Sequence, residues 1–287
     1  MGLIQDIKKD AVSTGTKIQQ SDAAVLEKIF NQMFYTGKDI KREAAFVEQV
    51  MTRGLETQER SGLHASAIIV GDSKWCLRQQ VLSLLYKQLQ GEQVGTGLKR
   101  IFEEGNAVHE KWQRLFLRAG YADVCDLDVT KFNSKWRVSY TPDIECIIPS
   151  YFDGKMIGEL KSVNTFQFQK MGKHPSAWKQ CQWYMCLSIA RERAAGTWNG
   201  IDYTKGFVIS EDKNTQDFKV EVYDYNADLV QPFVERCMAI KNAYKEFKTS
   251  NTMVARPKGA TSFDCKKCKE CPMRDACWNV GEGRKRI

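Results

Sequence analysis

No stretch of this 287-residue chain approaches the roughly 18 consecutive apolar residues that a membrane-spanning helix needs. Its opening, MGLIQDIKKDAVSTG, lacks the continuous apolar segment of a secretory leader. The expectation is a cytoplasmic protein with no membrane partner. No G-x4-G-K-S/T sequence occurs, so the phosphate-cradling loop of a nucleotide-driven motor is missing. Internal repeats and low-complexity tracts are missing as well. Histidine is scarce, with three in all: His64, His109 and His174. These absences exclude membrane, collagen-like and disordered classes. What is left is ordinary in bulk, with 43% apolar and 27% charged residues, as in a soluble globular protein. The length allows one large domain or two small ones, with a core that needs no staples.

Two features stand out from that background. Lysine and arginine (43) exceed aspartate and glutamate (35), leaving a net charge of +8. A basic soluble protein is a candidate for polyanionic partners. There are also ten cysteines. Without export a disulfide framework is not expected, so the thiols need another account. Cys125, Cys146, Cys181, Cys186 and Cys237 sit singly within apolar patterns and are expected as small core residues. Four others, Cys265, Cys268, Cys271 and Cys277, crowd into FDCKKCKECPMRDACWNV with the spacing C-x2-C-x2-C-x5-C. Short polar spacers let such thiols converge on one soft metal, whereas unligated surface thiols oxidise. Spacing alone leaves zinc and iron–sulfur both open. An iron–sulfur cluster can take a ligand from far away. Cys76, opening an amphipathic helix in SKWCLRQQVLSLLY, is the candidate.

Along the chain, residues 1–60 are expected to be mostly helical, with apolar positions around Val25, Ile29, Met33 and Phe34. No chemistry is visible in them. GLHASAIIV leads into the Cys76 helix, and a Gly-rich turn, QGEQVGTG, follows it. A helix is predicted from about Leu98 to Ala119, with Ile101, Gly105, Val108, Trp112 and Leu115 on one stripe and Gly120 ending it. Strand-like alternation marks Asp126–Val129, Lys135–Tyr140, Asp143–Ile148 and Met156–Val163. The last two form a predicted hairpin, with Asp153-Gly154 as the tight-turn signal. A helix over about Ser176–Arg193 follows, then strands at Gly206–Ser210 and Phe218–Tyr223, and a long helix from about Ala227 to Phe247. The order predicts a mixed α/β protein. Its expected division is a helical N-terminal region (1–60), a core (61–250) and a cysteine-rich segment (251–287) packing with the Cys76 region.

Charge sits where the central hairpin should be apolar. Strand residues alternate between faces, so Glu159 and Lys161 share one face and Leu160 packs into the other. On the partner strand Asp143 and Glu145 share a face, opposite Ile144, Cys146 and Ile148. Asp143 and Glu159 can meet across the pair if the register allows. Two partly buried carboxylates repel unless a cation lies between them. Oxygen ligands favour Mg²⁺ or Mn²⁺, and the Lys161 ammonium suits a phosphate or a bound water. That chemistry is phosphodiester hydrolysis. The tripeptide E-x-K is common, and two further copies occur at Glu211–Lys213, in a predicted polar turn, and Glu246–Lys248, at a helix end. Only Glu159–Lys161 lies in an apolar strand. His109, beside the apolar stripe of its helix, adds an imidazole that also suits Mn²⁺.

Taken together these residues resemble the PD-(D/E)XK nuclease superfamily, in its RecB-like branch with an iron–sulfur cluster. That branch includes CRISPR-associated adaptation nucleases, the AddB nuclease module and phage exonucleases. Pro142-Asp143 and Glu159-Leu160-Lys161 are similar to the PD…ExK signature. Gly105 to His109 is similar to the branch's GxxxH helix, and Gln180 to Tyr184 to its QxxxY motif. Ala65 to Arg78 resembles its N-terminal cysteine segment, and Cys268, Cys271 and Cys277 its C-terminal triplet.

The resemblance implies a restriction-endonuclease-like core, with a central mixed β-sheet flanked by helices, a helical N-terminal region and an iron–sulfur-bound C-terminal tail. It implies that His109, Asp143, Glu159 and the Leu160 carbonyl hold the metal. Lys161 would position or activate water, and Gln180 and Tyr184 would shape the DNA-facing side. Cys76, Cys268, Cys271 and Cys277 would hold a 4Fe–4S cluster. Cys265 is extra and keeps an all-local zinc site open. The implied activity is a metal-dependent DNA exonuclease acting on single strands or free ends, in a bacterium or phage-infected cell, with any helicase or recombination partner supplied in trans. A nuclease of CRISPR spacer adaptation and a non-catalytic zinc-containing nucleic-acid-binding protein are the alternatives. Candidate DNA contacts are Lys170, Lys173, Lys179, Lys266, Lys267, Lys269 and the Arg284-Lys285-Arg286 tail, with Trp178 and Trp183 as stacking platforms.

Overall fold

The structure, a computed structural model, describes residues 20–55, 63–86, 96–269 and 271–279. The Arg284–Arg286 tail and most of the QGEQVGTG turn lie outside the described residues. In chain order the elements are α1 (Gln20–Met33), α2 (Ile40–Leu55), β1 (Leu63–His64), α3 (Ala65–Ile68), α4 (Leu77–Leu85) and α5 (Thr96–Arg118). A short 3-10 turn (Val124–Asp126) leads to β2 (Lys131–Asn133), β3 (Val138–Tyr140), β4 (Ile144–Ile148) and β5 (Phe152–Val163). Then come α6 (Thr165–Lys170), α7 (Ala177–Ala195), β6 (Lys205–Asp212), β7 (Phe218–Asp224), α8 (Ala227–Ser250) and α9 (Arg274–Asn279). No described helix is long and apolar enough to cross a membrane.

The chain forms two compact units. One comprises Met1–Gln58, Gly95–Lys131 and Tyr140–Val230; the other comprises Glu59–Val94, Phe132–Ser139 and Gln231–Ile287. The first is a layered α/β unit around a mixed sheet of order β4-β5-β6-β7. β4 and β5 are antiparallel, β5 and β6 parallel, and β6 and β7 antiparallel. The parallel pair requires a crossover, which α6 and α7 supply. One sheet face presents Ile144, Cys146, Ile148, Met156, Leu160 and Phe207 to a core closed by Leu26, Phe30, Phe46, Trp112 and Phe116. α7 packs over β5 and β6 and is buried nearly all round, from Cys181 to Ala190.

Several expectations need correction. The buried stripe of α1 is Leu26, Phe30 and Met33, whereas Val25 and Phe34 are largely exposed. Met33 is buried as expected and Ile29 packs partly buried against the core, while Leu26 and Phe30 carry the rest of the 3.6-residue stripe. The hairpin turn lies at Pro149–Tyr151, closed by Tyr151 N–H to the Ile148 carbonyl at 2.8 Å, and Asp153-Gly154 lies inside β5. Gly154 is there for close packing. A Cβ on it would stand 2.8 Å from both Ile201 Cγ2 and Phe152 Cε1. Asp126 ends a 3-10 turn instead of starting a strand, because Asp123 N–H donates to Asp126 Oδ2 at 3.1 Å and the local bond wins over a ladder. Lys135 to Arg137 form a turn between β2 and β3, with Arg137 at φ +54°. Glu211 lies in β6, not in a polar turn. It is buried and held by Lys111 Nζ at 2.6 Å and Trp112 Nε1 at 2.7 Å. Of the five expected core thiols, Cys146, Cys181, Cys186 and Cys237 are buried but Cys125 is exposed.

In the second unit β1 runs parallel to β3, pairing Leu63 with Val138, in a three-stranded sheet of order β1-β3-β2. Val81 and Leu82 of α4 share an apolar cluster with Phe247, Met253, Met273 and Cys277. The cysteine-rich segment thus packs on the helix that Cys76 opens.

Candidate active site

The register of β4 on β5 places Ile144 opposite Gly158, so the next pair outward is Asp143 and Glu159. Both side chains, with Lys161, lie on the sheet face away from Leu160, beneath α7. Cys181 of α7 sits against that face, its thiol donating weakly to the carbonyls of Ile157 and Phe207, each at 3.8 Å. One turn of helix therefore delivers Gln180 and Tyr184 to the same place. Lys161 Nζ donates to Glu159 Oε2 at 3.1 Å and to Gln180 Oε1 at 3.2 Å. Gln180 Nε2 donates to the Tyr184 hydroxyl at 3.2 Å. Leu160 N–H donates to Asp143 Oδ2 at 2.7 Å, and the other carboxylate oxygen lies 3.5 Å from His109 Nδ1. His109, Asp143, Glu159, Leu160, Lys161, Gln180 and Tyr184 are thus brought together from three elements, α5, β5 and α7, and the bend before β4.

The electrostatics are those of a charge held away from water. Glu159 is 0% exposed and its Oε1 has no hydrogen-bond partner. Burial, then the Asp143 charge, push the Glu159 carboxyl well above its usual range, against the pull of Lys161. Burial draws the Lys161 ammonium down, but Glu159 and Asp143 outweigh it and the pKa ends above the ordinary lysine value. Lys161 therefore stays protonated. Burial, reinforced by Glu159 and Asp143, raises the Tyr184 phenol as well, so it also keeps its proton. Two carboxylates face one ammonium, with one buried oxygen left over, and a divalent cation fits that deficit. Among the described residues, no three His, Cys, Asp or Glu side chains are gathered closely enough to enclose one ion.

Two supporting residues escape sequence reasoning. Gln113 Nε2 donates to the Asp143 carbonyl at 2.9 Å and anchors the bend that carries it. His174 Nδ1 accepts from the N–H groups of Ala177 at 3.0 Å and Ser176 at 3.4 Å, capping the start of α7. Neither has a sequence signal, because each role depends on folding. Of the proposed DNA contacts, Lys170 and Lys173 are exposed, and Lys179 lies 5.5 Å from the centre of the half-buried Trp178 ring. Trp183 is fully buried and cannot stack on a base.

In the second unit Cys76, Cys268, Cys271 and Cys277 line one small cavity of about 30 Å³, and Cys265 is not among its lining residues. Arg78, fully buried, donates from Nε to Cys277 Sγ at 3.1 Å and from its second terminal nitrogen to the Cys277 carbonyl at 3.2 Å. Arg78 thus sets a buried positive charge against the Cys277 thiol. Burial raises the Cys76 thiol, while the Gln79 N–H at the start of α4 pulls it down.

No family model matches the chain, and no curated protein does. Among solved structures, SSO0001 shares 11% identity at a TM-score of 0.39, over 83% of this chain and 96% of that one. An alkaline exonuclease, LHK-Exo, from Laribacter hongkongensis, shares 13% at a TM-score of 0.40, over 67% of this chain and 94% of that one. The same protein in complex with dAMP gives 16% and 0.45 over the same shares. At that level the likenesses say nothing of what this chain binds or cuts.

Proposed function

We propose that the protein hydrolyses DNA phosphodiester bonds with the help of Mg²⁺ or Mn²⁺, as an exonuclease of the PD-(D/E)XK type acting on single strands or free ends. The observation that carries this reading is Glu159, a fully buried carboxylate with an unpartnered oxygen, facing Asp143 and tied to Lys161. Asp143, Glu159 and His109, with the Leu160 carbonyl, would hold the ion. When bound, the ion supplies positive charge against the phosphate and makes water a better nucleophile. The Leu160 N–H fixes the rotamer of Asp143. Lys161, protonated, orients a water or a phosphate oxygen and does not take up a proton. Gln180, held between Lys161 and Tyr184, keeps the ammonium aimed. The +8 charge and the exposed Lys170 and Lys173 favour a polyanion. The four thiols around one cavity, with Arg78 donating to Cys277, support a 4Fe–4S cluster held by Cys76, Cys268, Cys271 and Cys277.

The test compares wild type with Asp143→Ala and Lys161→Ala on DNA labelled at either end, with Mn²⁺ present. Wild type shortens the label-bearing strand, and both variants still bind but cut at least about 100-fold more slowly. Equal cutting by either variant sinks the active-site assignment. The same preparations report on the thiols. Wild type and Cys265→Ser are brown, whereas Cys76→Ser and Cys277→Ser are colourless. A colourless wild type with stoichiometric zinc removes the cluster.

A further inference from the structure

The second unit carries a cleft of about 450 Å³ that neither the carboxylate site nor the cysteine cavity uses. Its floor is apolar, formed by Leu63, Leu84, Cys237 and Ile240. Phe132, Trp136 and Tyr244 supply aromatic faces, and Arg137, Lys241, Lys245 and Lys248 form the rim. The composition follows from local structure. On α8, residues 237, 240 and 244 fall on one helical face, and 241, 245 and 248 run beside it as a row. Opposite them, the β2–β3 turn bends at Asn133, whose Oδ1 accepts from Trp136 N–H at 3.2 Å, and Arg137 takes a left-handed φ of +54°. The turn thereby brings an aromatic pair and a cation to the cleft. Phe132 is 51% exposed, and the four cations are all exposed.

The charge is one-sided, since among the described residues no carboxylate lines the cleft. None of the four rim cations makes an ion pair among the described residues. Rings and cations are also interleaved: Lys248 Nζ lies 5.5 Å from the Tyr244 ring centre, and Arg137 directly follows Trp136. A ligand that fits must alternate flat, polarisable faces with negative charge at short repeat. An acidic peptide supplies the charge but not a π-face at every step, and duplex nucleic acid keeps its faces hidden in the stack. A single-stranded nucleic acid presents both. We propose that this cleft is a separate single-strand binding site, stacking bases on Phe132 and Tyr244 while Lys241, Lys245 and Lys248 hold phosphates. That the strand is DNA rests on the nuclease reading; the class of ligand rests on the cleft alone.

Binding is read on the full chain with EDTA present, so that cleavage plays no part. The probe is fluorescein-labelled oligo(dT) of about 20 nucleotides, long enough to exceed a single-strand site. Phe132→Ala, at an exposed position that leaves the fold intact, weakens binding roughly tenfold. Lys241→Gln with Lys245→Gln lowers the slope of log K against log salt by about 1.4, at about 0.7 per lost phosphate contact. An oligonucleotide carrying 5-iodo-deoxyuridine crosslinks to peptides containing Phe132 or Tyr244. Wild-type affinity and salt slope in both variants overturn the proposal. So does displacement of the probe by duplex DNA or by polyglutamate as readily as by unlabelled single strand. A protein that binds in this way yet never cuts leaves the cleft standing and removes only the nuclease reading.

Discussion

Single side chains decide most of the chemistry described above, and their environments differ sharply. Glu159 and Lys161 are two residues apart on one strand face, yet the first side chain is fully sealed and the second keeps 22% of its surface exposed. His174 shows how a residue without obvious chemistry enters the site. Burial lowers its pKa, and the Lys161 charge adds to the effect. Its Nδ1 must be unprotonated to accept from Ala177 and Ser176, while its backbone N–H donates to Glu221 Oε1 at 2.6 Å. The folded pKa is below the unfolded one, so this contribution is present above about pH 6.5 and is lost as pH falls. The expected result is a Tm difference between wild type and His174→Ala that is full at pH 8 and shrinks below about pH 6.5. A constant difference across that range refutes the capping role. The acidic pair and its lysine were legible in the sequence, because alternation in an apolar strand exposes a charge that has no solvent face. His174, Gln113 and Arg78 were not, since their partners lie elsewhere in the chain: the Asp143 carbonyl is 30 residues from Gln113, and Cys277 is 199 from Arg78.

At the scale of elements, the periodicity gave the right kind of element in most places and the wrong phase in some. The α5 helix and its Gly120 end came out as expected, with Tyr121 N–H closing on the Phe116 carbonyl at 3.0 Å beyond a glycine at φ +71°. The stripe of α1 keeps the expected Met33 but begins at Leu26 instead of Val25, because both are apolar and the sequence does not say which faces the core. The structure chooses Leu26, and the choice has a measurable cost. Leu26→Ala is expected to destabilise by about 2–5 kcal/mol and Val25→Ala by about 0.5 kcal/mol or less. Urea unfolding of the two variants tests this, and equal losses mean that α1 is rotated. The Asp153-Gly154 pair misled for a different reason. Glycine signals either a turn or a close approach, and beside Ile201 and Phe152 it serves the second purpose.

For the whole molecule, the division into two units was not legible, because it does not follow the order of the chain. Segments of each unit alternate along the sequence, so no composition shift or linker marks a boundary. Each unit has its own buried cluster: one around Phe30, Trp112 and Leu160, the other around Leu82, Phe247 and Met273. Separate cores are expected to give separate thermal transitions. In calorimetry, Leu26→Ala should lower one transition, and Cys277→Ser, which removes a thiol beside Arg78, the other. A single transition that moves as one in both variants contradicts this independence. The placement of Cys76 and Cys277 around one cavity also sets a timetable for biosynthesis. At 5–20 residues added per second, roughly 10 to 40 seconds separate the appearance of the first thiol from that of the last. Throughout that interval Cys76 waits for the rest of the cavity lining, which cannot close before Cys277 has been made.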